Sequence, residues 1–167
     1  MTNLCYDVLK SLKGKTLVTA ESCTGGGIGM ELTTVSGSSA VYKGGVICYT
    51  NEVKENVLGV SREILERYGA VSAPVAAAMA SGVRKLLNAD VAVSVTGLAG
   101  PGGDERGTSV GTVFVGYEDE KQSFVEEFLF TGNRSTVRSR SIAAALNIVL
   151  VNNTDDYFDD DFDDEVE

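Results

Sequence analysis

A chain of 167 residues with 43% hydrophobic and 23% charged residues has the makeup of a single soluble globular domain, long enough to close a core. Its net charge of −10 comes almost wholly from nine carboxylates in Asp155 to Glu167, and the remainder carries 14 basic and 15 acidic residues. A near-neutral body lacks the basic footprint of a nucleic-acid binder, and the complete absence of histidine removes imidazole chemistry and most zinc sites.

The first element is a helix over 3–12, with Leu4, Val8 and Leu12 at helical spacing. After Gly14, Thr16 to Ala20 reads as a short strand. The cluster Gly25, Gly26, Gly27 follows, and then a helix to about Leu32. Strand, glycine turn and helix together present backbone N–H groups to an anion. No Gly-Lys-Ser/Thr follows, so this is not a Walker loop. Val41 to Thr50 is a second strand, in which Gly44 and Gly45 point to a bulge or a close contact. Asn51 caps a short helix closed by Gly59, and Ser61 starts another closed by Gly69. Ser72 caps a longer alanine-rich helix with Pro74 in its first turn. Asp90 to Thr96 is a buried-type strand leading into the glycine loop GLAGPGGDERG. Ser109 to Tyr117 and Gln122 to Phe130 form a hairpin across EDEK, and a last helix covers roughly 135–151. This order predicts an α/β fold, a three-layer α/β/α sandwich with a mixed sheet. The domain is expected over 1–151, with 152–167 an acidic, disordered and solvated tail.

Without imidazole, a proton acceptor must be lysine, tyrosine, carboxylate or thiolate. At the end of the first strand, Glu21-Ser22-Cys23-Thr24-Gly25-Gly26 admits three readings: a Cys23 nucleophile, an anion cradle, or a tight turn around a buried cysteine. Ser36-Gly37-Ser38-Ser39 precedes the second strand, with Tyr49 near its end and Lys54 in the next helix. Serine with lysine is a nucleophile and base pair that needs no histidine, provided the lysine pKa is depressed; turn serines and a solvated lysine are the plainer reading. Thr96 to Gly103 sits where open α/β sheets bind ligands, with Asp104, Glu105 and Arg106 as a solvated tip. Arg134 stands at a helix start, where the dipole disfavours a cation, which suggests an anionic ligand or a carboxylate partner; Arg138 and Arg140 read as ordinary contacts. Cys5, Cys23 and Cys48 lack metal-ligand spacing and suit a reducing compartment. With no signal peptide and no apolar run of about 18 residues, a cytosolic location is expected, without membrane association.

The blocks TAESCTGG, SGSSAVYKGGVICYTNEVK, GAVS-P, SVTGLAGPGG, VGTVFVG and TGNR occur in the order seen in the CinA C-terminal domain family, which the chain resembles over about residues 3–151. Stand-alone members of that family are nicotinamide mononucleotide amidohydrolases. The resemblance implies hydrolysis of the carboxamide of nicotinamide mononucleotide, with no metal or cofactor. It implies Ser39 as the catalytic serine, Lys54 as base and Tyr49 in the proton path. Ser22, Thr24, Gly25 and Gly26 match the family's glycine block. Thr96, Gly97, Ala99 and Gly100 match its second loop, and Arg134 its Gly-Asp-Arg arginine, all on the substrate side. Members associate as oligomers, so a dimer or larger homo-oligomer is expected. Asn133 replaces the family aspartate, and the acidic tail and the N-terminal pyrophosphatase domain of larger relatives lie outside the shared pattern. A non-catalytic competence or DNA-damage interaction module is the alternative, to which Tyr157, Phe158 and Phe162 of the tail lend a docking segment.

Overall fold

The computed structural model describes residues 1–154; the acidic stretch 155–167, with its docking and disorder expectations, lies outside the described residues. Among the described residues six helices and five strands follow one another as α1 (Thr2–Ser11), β1 (Leu17–Glu21), α2 (Gly27–Thr33), β2 (Tyr42–Ile47), α3 (Asn51–Leu58), α4 (Arg62–Tyr68), α5 (Ala73–Leu87), β3 (Val91–Gly97), β4 (Thr112–Glu118), β5 (Ser123–Leu129) and α6 (Arg134–Val151). A 3₁₀ turn, Ser38–Ala40, precedes β2. The strands form one sheet in the order β2-β1-β3-β4-β5. β1 pairs parallel with β2 and β3, whereas β4 is antiparallel to β3 and β5. The three-layer α/β/α sandwich with a mixed sheet is therefore present.

Side-chain alternation along β1 divides the molecule. Leu17 joins a core with α1, α2, α6 and the inward residues Val91, Val93 and Val95 of β3. Val18 and Ala20 join a second core with Leu58, Leu65, Val75, Met79 and Val83 from α3, α4 and α5. All five β1 residues are buried, as expected of a strand covered on both faces. Gly45 and Gly44 fulfil both parts of their expectation. The β1–β2 register slips between Leu17 and Val18, and a Cβ on Gly45 would stand 2.1 Å from Thr19 Oγ1. β2 ends at Ile47, earlier than predicted, because Cys48 and Tyr49 turn the chain toward α3.

Thr50 and Ser61 cap α3 and α4, each hydroxyl accepting the N–H three residues on. The α3 cap thus falls one residue before the expected Asn51. Asn133 caps α6 by accepting the Thr136 N–H at 3.0 Å. Asparagine serves that cap as well as aspartate does, which accounts for its tolerance here. Packing continues past the predicted domain end at 151. Asn153 is buried and donates to Tyr117 Oη at 3.1 Å and to the Val149 carbonyl at 2.8 Å. Among the described residues no helix is long and apolar enough to cross a membrane.

Candidate active site

The C-terminal ends of β1 and β3 adjoin, since Glu21 pairs with Val95 and the Ser22 N–H donates to the Val95 carbonyl at 2.9 Å. Glu21 also pairs with Ile47, so the end of β2 lies on the other side. Alternation sends Glu21 toward α2 and Ser22 toward the α3 face. There Lys54 reaches in, 1% exposed, with Nζ 3.0 Å from Ser22 Oγ, 2.8 Å from the Cys48 carbonyl and 3.4 Å from the Tyr49 carbonyl. Burial pushes the Lys54 amine below its ordinary pKa, and the neighbouring thiols of Cys48 and Cys23 oppose that shift only in part. A neutral amine has two N–H donors and one lone pair. The two carbonyls take the donors, and the lone pair is left for the Ser22 hydroxyl.

Ser39 is not brought to this place. It is exposed and precedes β2, whereas Lys54 follows that strand. Six strand residues at about 3.3 Å each set the two ends apart by about 20 Å. The expected Ser39–Lys54 pairing is thus replaced by Ser22–Lys54, because parallel strands place their C-terminal ends together and their N-terminal ends at the far edge.

Tyr49 and Arg134 meet beside the dyad. Arg134 donates to Tyr49 Oη at 3.1 Å and to the Gly100 carbonyl at 2.8 Å. Both partners are neutral oxygens, so neither contact neutralises the guanidinium charge. The second glycine loop is therefore held by its backbone, with Gly100 at φ +82°, where only glycine sits without strain. Thr96 Oγ1 donates to the Ala70 carbonyl at 2.8 Å, Gly97 packs under Val113, and Ala99 is buried. The expected solvated tip is anchored instead: the Arg106 guanidinium donates to the carbonyls of Glu66 and Arg67, which the end of α4 would otherwise leave open.

The first glycine loop differs from the anion cradle read from sequence. The Glu21 carboxylate already occupies the start of α2, accepting the N–H groups of Ile28 at 2.8 Å and Gly29 at 3.1 Å. It also accepts from Thr19 Oγ1 at 3.3 Å. The N-terminal charge of that short helix is thus spent internally. Gly25 and Gly26, at φ +61° and +94°, let the chain turn from β1 into α2. Cys23 is buried, and desolvation raises its thiol to about 11, so the thiolate that a cysteine nucleophile requires is disfavoured. Cys48, buried against Lys54 and the Glu21 carbonyl, is likewise raised to about 11 by burial.

The CinA C-terminal domain family model matches residues 2–152. The chain belongs to this family. It is 48% identical over 136 residues to a CinA-like protein of Parasynechococcus marenigrum, an alignment covering 80% of this chain and 32% of that one. It therefore spans about a third of the length of the curated relatives it matches. Among solved structures, the competence damage-inducible protein A of Klebsiella pneumoniae superposes with a TM-score of 0.88 at 36% identity, covering 90% of this chain and 94% of that one. The competence/damage inducible protein CihA of Agrobacterium tumefaciens gives the same score and identity, with 91% and 94% covered.

Two contributors to this CinA-family site escaped the sequence reading. Glu21 lies in the motif without a role legible there, and Arg138 reads from sequence as an ordinary helix contact. Arg138 Nε donates to the Cys23 carbonyl at 3.0 Å and its terminal nitrogen to the Thr24 carbonyl at 3.1 Å, across 114 residues or more of chain. The available signal was its position one helical turn beyond Arg134, on the same side of α6.

Proposed function

We propose that the chain is an amidohydrolase that converts nicotinamide mononucleotide to nicotinic acid mononucleotide and ammonia, with Ser22 as nucleophile and Lys54 as base. The observation that carries this reading is the buried Lys54 amine 3.0 Å from Ser22 Oγ, with its two carbonyl partners and its lowered pKa. Ser22 Oγ attacks the carboxamide carbon while its proton passes to Lys54. The tetrahedral adduct collapses, the C–N bond breaks, and ammonia leaves with that proton. Water, deprotonated by the regenerated amine, then cleaves the acyl ester and restores Ser22. Arg134 supplies a positive charge for an anionic substrate group, and its guanidinium donates to Tyr49 Oη at 3.1 Å. A homo-oligomer remains part of this proposal.

Ammonia release from nicotinamide mononucleotide tests the assignment. Ser22→Ala is expected to abolish turnover, whereas Ser39→Ala, at the far edge of the sheet, retains the wild-type rate. Full activity in Ser22→Ala would overturn the dyad.

A further inference from the structure

Resting on Ser22 as the nucleophile, we propose that Arg138 is a positioning residue that aims the Thr24 N–H into the site as an oxyanion donor. The inference begins with the turn itself. The Gly25 N–H donates to the Ser22 carbonyl at 3.0 Å, closing a four-residue turn that places Cys23 and Thr24 at its two central positions. The Gly27 N–H donates to the Thr24 carbonyl at 3.1 Å. Among the hydrogen bonds of the described residues, none takes the Thr24 N–H.

Its direction follows from peptide planarity. In a trans peptide the carbonyl of one residue and the N–H of the next point to opposite sides. Arg138 Nε holds the Cys23 carbonyl at 3.0 Å, so the Thr24 N–H points away from Arg138. Arg138 belongs to α6, which packs on the α1–α2 face of the sheet, while Lys54 approaches Ser22 from α3 on the other face. The N–H is thereby turned toward the side on which the serine is deprotonated.

A second, independent observation concerns the same residue. Thr24 is fully buried, and its Oγ1 is the one buried side-chain polar atom among the described residues that lacks a hydrogen-bond partner. Buried polar groups are ordinarily hydrogen-bonded, so this orphan shows that the turn at residue 24 is not fully satisfied by its own chain. Residue 24 thus carries two unpartnered polar groups, its N–H and its hydroxyl, two residues from the nucleophile. Of the two, the N–H is the donor that serves the attacked carbonyl oxygen as its charge builds up. The Arg138 guanidinium also lends positive charge to the turn through the two carbonyls it grips, without touching the reacting atoms.

The probe is an alkyl fluorophosphonate, read by mass spectrometry on the full chain, in parallel with nicotinamide mononucleotide turnover. Ser22 Oγ forms the O–P bond, fluoride leaves, Lys54 takes the proton, and the phosphonyl oxygen occupies the oxyanion position. In Arg138→Gln the labelling rate at Ser22 and the kcat for deamidation are expected to fall roughly 10²-fold, with KM within about twofold. Arg138→Lys, which keeps the charge and one donor, recovers part of both. Replacing Thr24 by its α-hydroxy acid removes the N–H and makes the Cys23 carbonyl a weaker ester acceptor, while the Thr24 carbonyl that Arg138 also holds stays an amide. It should give a similar fall, and it decides the matter if Arg138→Gln does not fold. Wild-type labelling rates in both Arg138→Gln and the Thr24 ester overturn the inference, as does a loss confined to KM. Labelling at Ser22 without turnover of nicotinamide mononucleotide overturns the substrate reading alone, and the labelling rates still decide the role of Arg138. Absence of labelling at Ser22 in the wild type overturns this inference and the dyad together.

Discussion

Lys54→Met separates catalysis from stability. The substitution keeps an unbranched side chain in the slot but deletes the amine that contacts Ser22 Oγ, the Cys48 carbonyl and the Tyr49 carbonyl. On the stability side, two effects oppose each other. Removing a buried amine relieves its desolvation, while the Cys48 carbonyl and Ser22 hydroxyl lose a partner at about 1–3 kcal/mol for a group left unsatisfied. A net change of about 1–2 kcal/mol follows, which at about 2–4 °C per kcal/mol for a domain of this size moves Tm by under about 10 °C. On the catalytic side, loss of a general base costs about 10² to 10⁴ in kcat, or about 3–5 kcal/mol of barrier. The assay is ammonia release at saturating nicotinamide mononucleotide, run beside a thermal melt of the same preparation. A folded Lys54→Met protein with at least 100-fold lower kcat is expected. A variant that melts near wild type and retains more than a tenth of kcat would refute the assignment of Lys54 as the base.

Two further outcomes follow from the same geometry. Burial lowers the Lys54 pKa below its ordinary 10.5, and the base acts in its neutral form, so kcat/KM should rise with pH through a limb lying below that value. Between the lowered pKa and 10.5 the unfolded chain binds more protons at this position than the folded chain. The stability difference between wild type and Lys54→Met should therefore shift in favour of wild type as pH rises through that window, which denaturant melts across alkaline pH would read. At the start of α6, Asn133→Ala removes the cap on Thr136 and should cost about 1 kcal/mol, a Tm loss of about 2–4 °C, while Asn133→Asp keeps the cap and the melting temperature.

Much of the architecture was legible because it is local. The helical spacing of Leu4, Val8 and Leu12, the cap at Ser61, and the hairpin of β4 and β5 are each specified within a few residues. The dyad was not legible in that way. Ser39, Tyr49 and Lys54 are close in sequence, which invites their grouping, but β2 runs between the serine and the lysine and carries them to opposite edges. Ser22 stands 32 residues before Lys54, and only the non-local parallel register, Glu21 beside Ile47, brings their strand ends together. The start of α2 is closed to an outside anion for a different, local reason. Its motif supplies glycines and a helix start, yet the carboxylate that fills the helix start comes from the strand immediately before it.

That carboxylate also bears on how a lysine serves where histidine is absent. Glu21 and Ser22 are neighbours in sequence, so an acid sits one residue from the nucleophile that Lys54 must deprotonate. Were Glu21 to reach Lys54, the ion pair would stabilise the ammonium form and raise the amine pKa, holding the proton that the base must shed. Strand alternation prevents this by placing the two side chains on opposite faces of the sheet, and the α2 amides fix Glu21 on its own face. The ionisable groups that act on Lys54 are the thiols of Cys48 and Cys23, each raised to about 11 by burial and so neutral near pH 7. Lys54 is therefore surrounded by carbonyls, a hydroxyl and protonated thiols rather than by a counter-ion. A buried lysine in such neutral company is driven toward the free amine, and a two-residue alternation in one strand is enough to provide it.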